Sequence, residues 1–399
     1  MTKIDENEKI CVIGLGFVGL STAVYFASRG QEVVGVDTDE GKCEMINRGE
    51  SPVSEIEFLV RFKASSSIPS NASVYFICVP TPSNEDGIDL SCLIQVCNEL
   101  RERNDGGVVV IRSTVTPGTT KNVVAPRTNS DRLVVNPEFL QEGKALKDSF
   151  NPSRVVIGSE NPELGDRIQK LYDGPFLRTD WVTAELIKYA SNAALATKLS
   201  FVNEIANIAK LLGASTEKVL KGVGMDQRFS PSYMEPGIGF GGSCLPKDLY
   251  ALIKSCERVG YDPKLLKSVY EVNEGQAKRL VELLETRIGN LKGKLIALLG
   301  LGFKEGVEDV RGSRSFPVID ELLDRGARVK IYDLFESNVE AFKNRYGDSI
   351  EYSENPLKGA DGCLVTTPWK GVNALIRGDV PIIFGRPYMG FEKFEGLNW

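Results

Sequence analysis

The first third of the chain alternates short apolar runs with stretches of helical periodicity. An apolar run at residues 10–13 is followed by a helical pattern that ends near Gly30, and another run occupies residues 33–36. Further short runs follow at 74–79, 108–111 and 133–135. Such runs are typical of buried parallel strands, and the helical stretches between them are typical of crossover helices. This part is therefore predicted to form a doubly wound α/β sheet.

The C-terminal part repeats this pattern after a long helical stretch. Residues 180–222 have the apolar spacing of one long helix. From residue 291 onward a second α/β unit is predicted, in which residues 294–303 parallel residues 9–17. The chain is therefore expected to contain two related sheets.

Composition narrows the class of protein. The 399 residues are enough for two or three domains, and 42% hydrophobic and 26% charged residues are ordinary for a globular protein. A net charge of −6 argues against nucleic acid as a partner. No apolar run approaches the length of a membrane span, and the polar start of the chain does not resemble a signal peptide. We expect a cytoplasmic protein with no membrane partner.

The chain contains no histidine. This excludes Ser-His-Asp and Cys-His catalytic arrangements and histidine-containing zinc sites, so acid–base chemistry must use carboxylates, lysine or bound water. We expect no metal site. Of the eight cysteines, seven are interpreted as reduced and mostly buried thiols.

Residues 14–19 have the sequence Gly-Leu-Gly-Phe-Val-Gly, between a predicted strand and a predicted helix, and Asp37 ends the next strand. In this context the glycines allow a pyrophosphate to approach the helix N-terminus, and the acid can accept hydrogen bonds from the adenosine ribose. An acid at this position disfavours a 2′-phosphate. NAD is therefore predicted, in preference to NADP.

Polar residues follow three other predicted strands. Thr81 and Thr114 come after two of them, where ligands bind in open α/β sheets, and Thr114 could also hold a catalytic water. Glu138 and Glu142 follow the run at 133–135. If this segment forms a helical turn, the two carboxylates share one face.

The segment 239–248, Gly-Phe-Gly-Gly-Ser-Cys-Leu-Pro-Lys-Asp, carries the most reactive side chain. Pro246 is expected at the first position of a helix, which places Cys244 at the N-terminus, where the helix dipole favours a thiolate. Lys247 and Asp248 follow on the same side of the first turn. This arrangement suits covalent catalysis on a carbonyl group.

Lys188 and Asn192 lie four residues apart in the long helical stretch, so both should project from the same side. The neighbouring alanines at 190, 193, 194 and 196 are too small and apolar for an ordinary surface lysine.

Together, the segments 14–19, 136–143, 185–192, 239–248 and 300–311 resemble the UDP-glucose/GDP-mannose dehydrogenase family. The resemblance implies two Rossmann-like doubly wound domains joined by a long central helix. The implied boundaries are 1–180 for an NAD-binding domain, 181–285 for a central domain and 286–399 for a nucleotide-sugar-binding domain. It also implies a homodimer formed through the central helix, and a place in polysaccharide biosynthesis.

The resemblance also implies roles for single residues. Lys188 would stabilise oxyanions, Lys304 would bind the nucleotide sugar, and Arg311 would bind the NAD pyrophosphate. The implied catalytic residues are Cys244, Lys188, Asp248, Glu138, Asn192 and Thr114. The implied cofactor-binding residues are Gly14, Gly16, Phe17, Val18, Gly19, Asp37, Lys42, Thr81, Thr114, Glu142, Lys247 and Arg311. The implied substrate-binding residues are Glu138, Phe139, Leu140, Lys188, Asn192, Arg228, Tyr233, Phe240, Gly241, Lys304 and Arg386.

The second copy of the glycine turn departs from the first. Glu305 stands where the third glycine would be, and Lys304 stands at the position of Val18. This copy is therefore expected not to bind a dinucleotide in the same way. Near the C-terminus, Arg386 lacks the aspartate that accompanies it in the family pattern.

The implied reaction is oxidation of a nucleotide-sugar C6 alcohol to a carboxylate, using two NAD in turn. UDP-glucose is favoured, in part by residues 151–154, and GDP-mannose or a UDP-N-acetylhexosamine is the alternative. The N-acetylhexosamine enzymes carry a histidine where this chain has Ser243, which makes that branch less favoured. More distant alternatives are a two-electron hydroxyacid dehydrogenase, which has no use for Cys244, and a non-catalytic NAD or nucleotide-sugar sensor.

Overall fold

A computed structural model describes residues 8–53, 55–58, 60–85, 87–103, 105–128, 130–376, 380–387 and 395–397. The polar start, on which the signal-peptide prediction partly rests, lies mainly outside these residues. The chain forms two compact units, with a boundary between Ser191 and Asn192. The division into three domains stays a prediction.

The first unit contains an eight-stranded sheet. Its strands are β1 Lys9–Ile13, β2 Glu32–Val36, β3 Lys63–Ser65, β4 Val74–Ile77, β7 Val108–Ile111, β8 Leu133–Val135, β9 Val155–Gly158 and β10 Phe176–Thr179, with β5 Ser83–Asn84 and β6 Gly87–Ile88 as a separate hairpin. Its helices are α1 Phe17–Ser28, α2 Glu40–Arg48, α3 Ser91–Arg103, α4 Ala145–Phe150 and α5 Pro162–Gln169. Short helical turns cover Thr120–Val124, Ala125–Arg127 and Ser130–Arg132.

The strand order of this sheet is β10-β9-β8-β7-β4-β1-β2-β3, and all neighbours are parallel except β8 and β9. The order β3-β2-β1-β4-β7-β8 is that of a Rossmann fold. The register pairs Ile13 with Val36 and with Ile77, and Ile111 with Ile77 and Val135. The strands therefore end level, and the residues that follow them share one edge of the sheet.

Helix α6, Trp181–Leu211, crosses the boundary between the units. The other helices of the second unit are α7 Thr216–Gly224, α8 Leu245–Arg258, α9 Lys264–Ile288, α10 Ser315–Asp324 and α11 Glu336–Tyr346. Its strands are β11 Leu295–Leu299, β12 Arg328–Tyr332, β13 Ile350–Tyr352, β14 Gly362–Val365, β15 Ile382–Phe384 and β16 Glu395–Gly396. Short 3₁₀ turns cover Gly347–Ser349 and Val372–Ala374.

The second sheet has the order β13-β12-β11-β14-β15-β16, with all neighbours parallel, which again matches the Rossmann order. Buried aliphatic side chains of β11, β12 and β14 pack against Leu280 and Leu284 of α9. Two Rossmann-like α/β sheets were predicted, and the structure confirms them.

Two predicted elements have different bounds. The helical pattern of 180–222 is two helices, α6 and α7, because Gly213 adopts φ +68° and Ser215 caps α7 by accepting a hydrogen bond from the Lys218 N–H. Strand β4 ends at Ile77 rather than at residue 79. Within the described residues, no helix is long and apolar enough to cross a membrane.

Candidate active site

The first glycine turn joins β1 to α1. Gly14 has φ +89°, and a β-carbon there would lie 2.7 Å from the Cys78 carbonyl oxygen. A β-carbon at Gly19 would overlap the Gly14 carbonyl oxygen, whereas one at Gly16 would meet no atom within 4 Å. The packing of the turn itself thus requires Gly14 and Gly19. Gly16 is the N-cap of α1 and leaves open space there, where a pyrophosphate can approach.

The residues around this turn fit the adenosine and pyrophosphate portions of a dinucleotide. Phe17 and Val18 begin α1, so their N–H groups are among those without a partner inside the helix. Asp37 accepts hydrogen bonds from the Leu15 N–H at 2.8 Å and the Asp39 N–H at 3.0 Å. Its carboxylate stays 12% exposed, with the Lys42 Nζ 3.9 Å away, and can also accept from a ribose hydroxyl.

The threonines that follow β4 and β7 are joined directly. Thr81 is buried, and its hydroxyl donates to the Thr114 carbonyl oxygen at 2.7 Å. Ser113 donates to the Val79 carbonyl oxygen at 2.8 Å, so the two strand ends are fixed to each other. The structure therefore brings Thr81 and Thr114 together, at the edge where the sheet is expected to bind its ligand.

A buried ion pair lies in the first unit. The Lys188 Nζ donates to the Glu138 Oε1 at 2.7 Å, and the side chains are only 6% and 7% exposed. Burial raises the pKa of Glu138, but the charge and hydrogen bond of Lys188 and the Leu140 N–H together lower it below its ordinary value. Glu138 is therefore an ionised carboxylate, which can act as a base or hold a water.

Glu142 does not share a helical face with Glu138. Residues 136–141 form no helix, and Glu142 lies in a turn before α4, so the helical turn on which the two carboxylates would share a face is not present. Asn136 determines this conformation by donating to the Val156 carbonyl oxygen at 2.8 Å and by accepting from Arg112 at 2.7 Å.

Phe139 contacts two cations. The Arg154 guanidinium lies 3.8 Å from the centroid of its ring, and the Lys188 Nζ lies 5.6 Å from it. Phe139 and Leu140 also line a cavity of about 120 Å³, together with Glu138, Arg112 and Arg154. Candidate substrate-binding residues are thus clustered with the ion pair.

The cysteine lies where the sequence predicts, at the N-cap of α8. The helix begins at Leu245, so Pro246 is its second residue rather than its first. Cys244 is exposed, and its Sγ lies 3.6 Å from the Ser243 hydroxyl. All eight cysteines lie within the described residues, and none of them forms a disulfide. Among those residues, no group of three or more Cys, Asp and Glu side chains is arranged to hold a metal ion.

Asp248 lies in the first turn of α8 and is 1% exposed. Its Oδ2 accepts a hydrogen bond from the Asn192 side-chain amide at 2.6 Å, and its Oδ1 accepts from the Lys247 Nζ at 2.6 Å. Both carboxylate oxygens are therefore oriented, one helical turn after Cys244. A fixed carboxylate beside an accessible thiol suits proton transfer during covalent chemistry.

The second glycine turn follows β11. Gly300 has φ +84°, and the Asp333 Oδ2 accepts from the Leu301 N–H at 2.5 Å, as Asp37 does for Leu15. No helix follows at once, since α10 begins only at Ser315. Lys304 and Asp333 instead line a cavity of about 20 Å³ with Thr367 and Trp369.

Two candidate arginines are held by aspartates two residues earlier. The Arg228 Nη2 lies 2.6 Å from Asp226, and the Arg311 Nη2 lies 2.6 Å from Asp309. The guanidinium groups are 84% and 69% exposed, so these ion pairs are weak and can be exchanged for a phosphate. Tyr233, in the same segment as Arg228, is 42% exposed and has φ +58°.

Arg386 follows β15 and donates to the Phe303 carbonyl oxygen at 3.1 Å. Burial, with a smaller effect of Arg314, lowers its pKa to about 10. Its Nε is buried without a hydrogen-bond partner among the described residues, so a ligand oxygen here would satisfy it.

The loop of residues 237–244, which carries Cys244, is called the cysteine loop. Two buried residues that hold it are not evident from the sequence. Asn273 in α9 exchanges two hydrogen bonds with the backbone of Phe240, and Arg314 donates to the Ile238 carbonyl oxygen at 3.2 Å. Gly241 packs so closely on Gly312 that a β-carbon would overlap the Gly312 carbonyl oxygen. No local motif marks Asn273 or Arg314, since their partners are distant in sequence.

Three family models match the chain. They describe the NAD-binding domain, the central domain and the UDP-binding domain of the UDP-glucose/GDP-mannose dehydrogenase family, and they match residues 8–175, 182–275 and 297–382.

Individual proteins are similar over almost the whole chain. The UDP-glucose 6-dehydrogenase of Haloferax volcanii is 36% identical, covering 92% of this chain and 93% of the relative. The GDP-mannose 6-dehydrogenase of Pseudomonas aeruginosa is 35% identical, covering 90% of this chain and 87% of the relative. A solved UDP-glucose dehydrogenase from Pyrobaculum islandicum is 35% identical, with a TM-score of 0.92 and complete coverage of both chains.

Proposed function

Because this chain belongs to the UDP-glucose/GDP-mannose dehydrogenase family, we propose that it oxidises the C6 alcohol of UDP-glucose to a carboxylate in two steps. The family and the NAD cofactor, both predicted from the motifs, are confirmed by the family models. The observation that carries the four-electron reaction is Cys244, an exposed thiol at the N-cap of α8, one turn before the oriented carboxylate of Asp248.

NAD supplies the hydride acceptor in both oxidations. In the first step Asp248 or a bound water removes the proton of the C6 hydroxyl, and Thr114 is a candidate for holding such a water. The Cys244 thiolate then adds to the aldehyde carbon and forms a thiohemiacetal, because a second hydride can leave only from a tetrahedral carbon. Oxidation of this adduct leaves a thioester. Attack of water, aided by Glu138 or Asp248, breaks the C–S bond and releases the carboxylate and the thiolate.

The remaining site residues support these steps. Lys188 stabilises the oxyanion of each tetrahedral state, an effect of about 2.7–4 kcal/mol for a well-placed donor. The ionised state of Glu138 suits a role in holding or activating the hydrolytic water. Asn192 orients Asp248 and helps to hold the sugar. Lys304, Arg228 and Arg386 bind the nucleotide sugar, while Lys247, Arg311 and Glu142 contribute to NAD binding.

The division into an NAD-binding domain, a central domain and a nucleotide-sugar-binding domain belongs to the same proposal, with support from the three matched ranges. We also propose a homodimer through α6. This helix exposes large apolar side chains, with Phe201 at 42% and Ile208 at 45%. A cytoplasmic location is supported by the eight cysteines, none of which forms a disulfide, as is typical of a reducing compartment. A role in polysaccharide biosynthesis depends on the product.

The test is the NADH produced per nucleotide sugar consumed, with UDP-glucose, GDP-mannose and UDP-N-acetylglucosamine run in parallel. We expect two NADH from each UDP-glucose, and at most one with Cys244→Ser. GDP-mannose is the second candidate substrate, because a GDP-mannose 6-dehydrogenase is 35% identical to the chain. A wild-type yield of one NADH, or a Cys244→Ser variant that completes both steps, would contradict the role of Cys244. No NADH from any sugar would favour a non-catalytic sensor.

A further inference from the structure

The loop that carries Cys244, residues 237–244, is rich in glycine and must be held by other parts of the second unit. Gly239 and Gly242 have φ +97° and +84°, conformations that glycine adopts at no steric cost. Such a segment loses much conformational entropy when it is ordered. Its fixed position therefore requires specific contacts, and two buried side chains, Asn273 and Arg314, provide several of them.

The first contact comes from Asn273, which is fully buried in α9. Its side-chain oxygen accepts from the Phe240 N–H at 2.7 Å, and its amide donates to the Phe240 carbonyl oxygen at 3.2 Å. A β-carbon at Gly239 would lie 2.5 Å from the Asn273 Oδ1, so the loop approaches this side chain very closely. Asn273 thus binds both backbone groups of one residue, four positions before the cysteine.

The second contact comes from Arg314, which is 6% exposed and precedes α10. Its guanidinium donates to the Ile238 carbonyl oxygen at 3.2 Å, to the Asn273 carbonyl oxygen at 3.0 Å and to the Glu274 carboxylate at 2.7 Å. The charge is therefore paired, and three donors join the cysteine loop to α9. A lysine has no planar fork and cannot reproduce these bonds.

The same loop also rests on the second glycine turn. Gly241 lies against the Gly312 carbonyl, and a β-carbon at Gly242 would lie 3.0 Å from the Phe303 ring. Phe303 and Gly312 flank the segment that carries Lys304 and Arg311, the proposed ligands of phosphate groups. The cysteine loop is thus packed on the loop of residues 300–314, and Arg314, the last residue of that loop, also bonds to it.

We propose that Asn273 and Arg314 are positioning residues for Cys244. They fix the cysteine loop on α9 and on the loop 300–314, so that the thiol stays at the N-terminus of α8. The catalytic part of this inference rests on the proposed function, whereas the positioning of the thiol does not. A misplacement of a catalytic group by about 1 Å can slow a reaction about a hundredfold.

The catalytic test uses Arg314→Lys and Asn273→Ser, with Arg325→Lys as the matched control. Arg325 also forms an ion pair with a residue of α9, Glu285, but none of its ion pairs involves the cysteine loop. We expect the two variants to lose at least about tenfold in kcat, with KM for the nucleotide sugar within about threefold. Because Cys244 captures the aldehyde less efficiently, NADH per sugar should fall below two, and a hydroxylamine trap should recover free aldehyde. The control should keep wild-type yields.

A second test reads the thiol itself, without any substrate. Iodoacetamide labelling of each cysteine is followed by peptide mass spectrometry. In Arg314→Lys and Asn273→Ser we expect Cys244 to react about two- to fivefold more slowly at neutral pH, because it has left the helix N-terminus that favours its thiolate. Cys92, exposed in the first unit, should react at its wild-type rate, and Cys363, buried in β14, should stay unlabelled.

The outcomes are distinct. Wild-type labelling rates at Cys244 in both variants would overturn the proposal, whatever the activity. Labelling of Cys363 in the variants would also overturn it, because the unit rather than the loop would then have lost its structure. Failure of the wild type to produce NADH from any sugar would contradict the proposed function, and slower labelling of Cys244 would still support the positioning role.

Discussion

The two glycine turns begin in the same way and then diverge. Each follows the strand that comes first along the chain in its sheet, starts with a left-handed glycine, and is fixed by an aspartate that accepts the N–H of the next residue. After the first turn α1 starts at Phe17, whereas after the second α10 starts only at Ser315. The start of a Rossmann turn is therefore determined by its strand and aspartate, but its ligand depends on where the helix begins.

The residue at the third glycine position is one difference between the turns. Gly19 is packed against the Gly14 carbonyl, so α1 can lie directly on the turn. Glu305 at the matching position has a side chain, which that close packing cannot accommodate. The second turn instead becomes the longer loop of residues 300–314, which supports the cysteine loop and carries Lys304 and Arg311.

The largest expected effect is that of Gly19→Ala. The added methyl group overlaps the Gly14 carbonyl oxygen, so unfolding of the first unit should become easier by about 3 kcal/mol or more, and NADH binding should be lost. Thermal unfolding and NADH fluorescence titration measure both. Gly16→Ala is the control, because its methyl group meets no protein atom: stability should be unchanged while NADH binds more weakly. Equal stability losses in the two variants would contradict this explanation.

The next largest effect is expected from replacing the aspartates that fix the two turns, Asp37 and Asp333. Asp37→Asn should weaken NADH binding about 10- to 100-fold, because it removes charged hydrogen bonds to the ribose and to the Leu15 N–H. It should also reduce the discrimination against NADPH. Asp333→Asn should leave NADH affinity within about twofold, because the second turn has no helix N-terminus for a pyrophosphate. Equal losses of NADH affinity in the two variants would mean that the turns share the dinucleotide.

The ion pairs Glu138–Lys188 and Asp309–Arg311 should differ in how they respond to acid. Glu138 has a lowered pKa in the folded state, so the unfolded chain binds more protons. Its contribution to stability is present above its unfolded pKa and is lost as the pH falls from about 5 through the folded pKa. The Tm of the wild type should therefore fall about 2–4 °C further between pH 6 and pH 4 than the Tm of Glu138→Gln.

The matched variant for this comparison is Asp309→Asn. Its partner Arg311 is 69% exposed, and exposed ion pairs contribute little to stability. The pH dependence of its Tm should therefore follow the wild type. If Glu138→Gln follows the wild type as well, the buried pair does not respond to acid as inferred.

The smallest expected effect is that of Glu305→Gly, which completes a Gly-x-Gly-x-x-Gly sequence in the second turn. We expect no additional NADH binding, since α10 still starts only at Ser315, well after position 305. Equilibrium dialysis with NADH gives the number of sites per chain. A second site would show that the motif alone is sufficient and would remove the main difference between the two turns.

Several features of the site were predictable because they depend on neighbours in the sequence. Cys244 at a helix N-terminus follows from the glycines before it and the proline after it. Asp37 follows from its place at the end of β2. Glu138 and Glu142 would share a face only on a helical turn, and residues 136–141 form none; Asn136 is instead tied to Val156 of β9. The prediction of a single helix over residues 180–222 was wrong, because α6 ends at Leu211 and Gly213 follows in a left-handed conformation.

The sequence by itself determined the two sheets, the NAD turn and the family, because these depend on local periodicity, on glycine conformations and on motifs that are continuous in the chain. Tertiary structure alone decided the pairing of Glu138 with Lys188 and the support of the cysteine loop by Asn273 and Arg314. These contacts join residues 50, 33 and 76 positions apart, and no local pattern encodes them. Their energetic role arises from burial: a charge or an amide removed from water requires a specific partner, and only the folded chain brings that partner within reach.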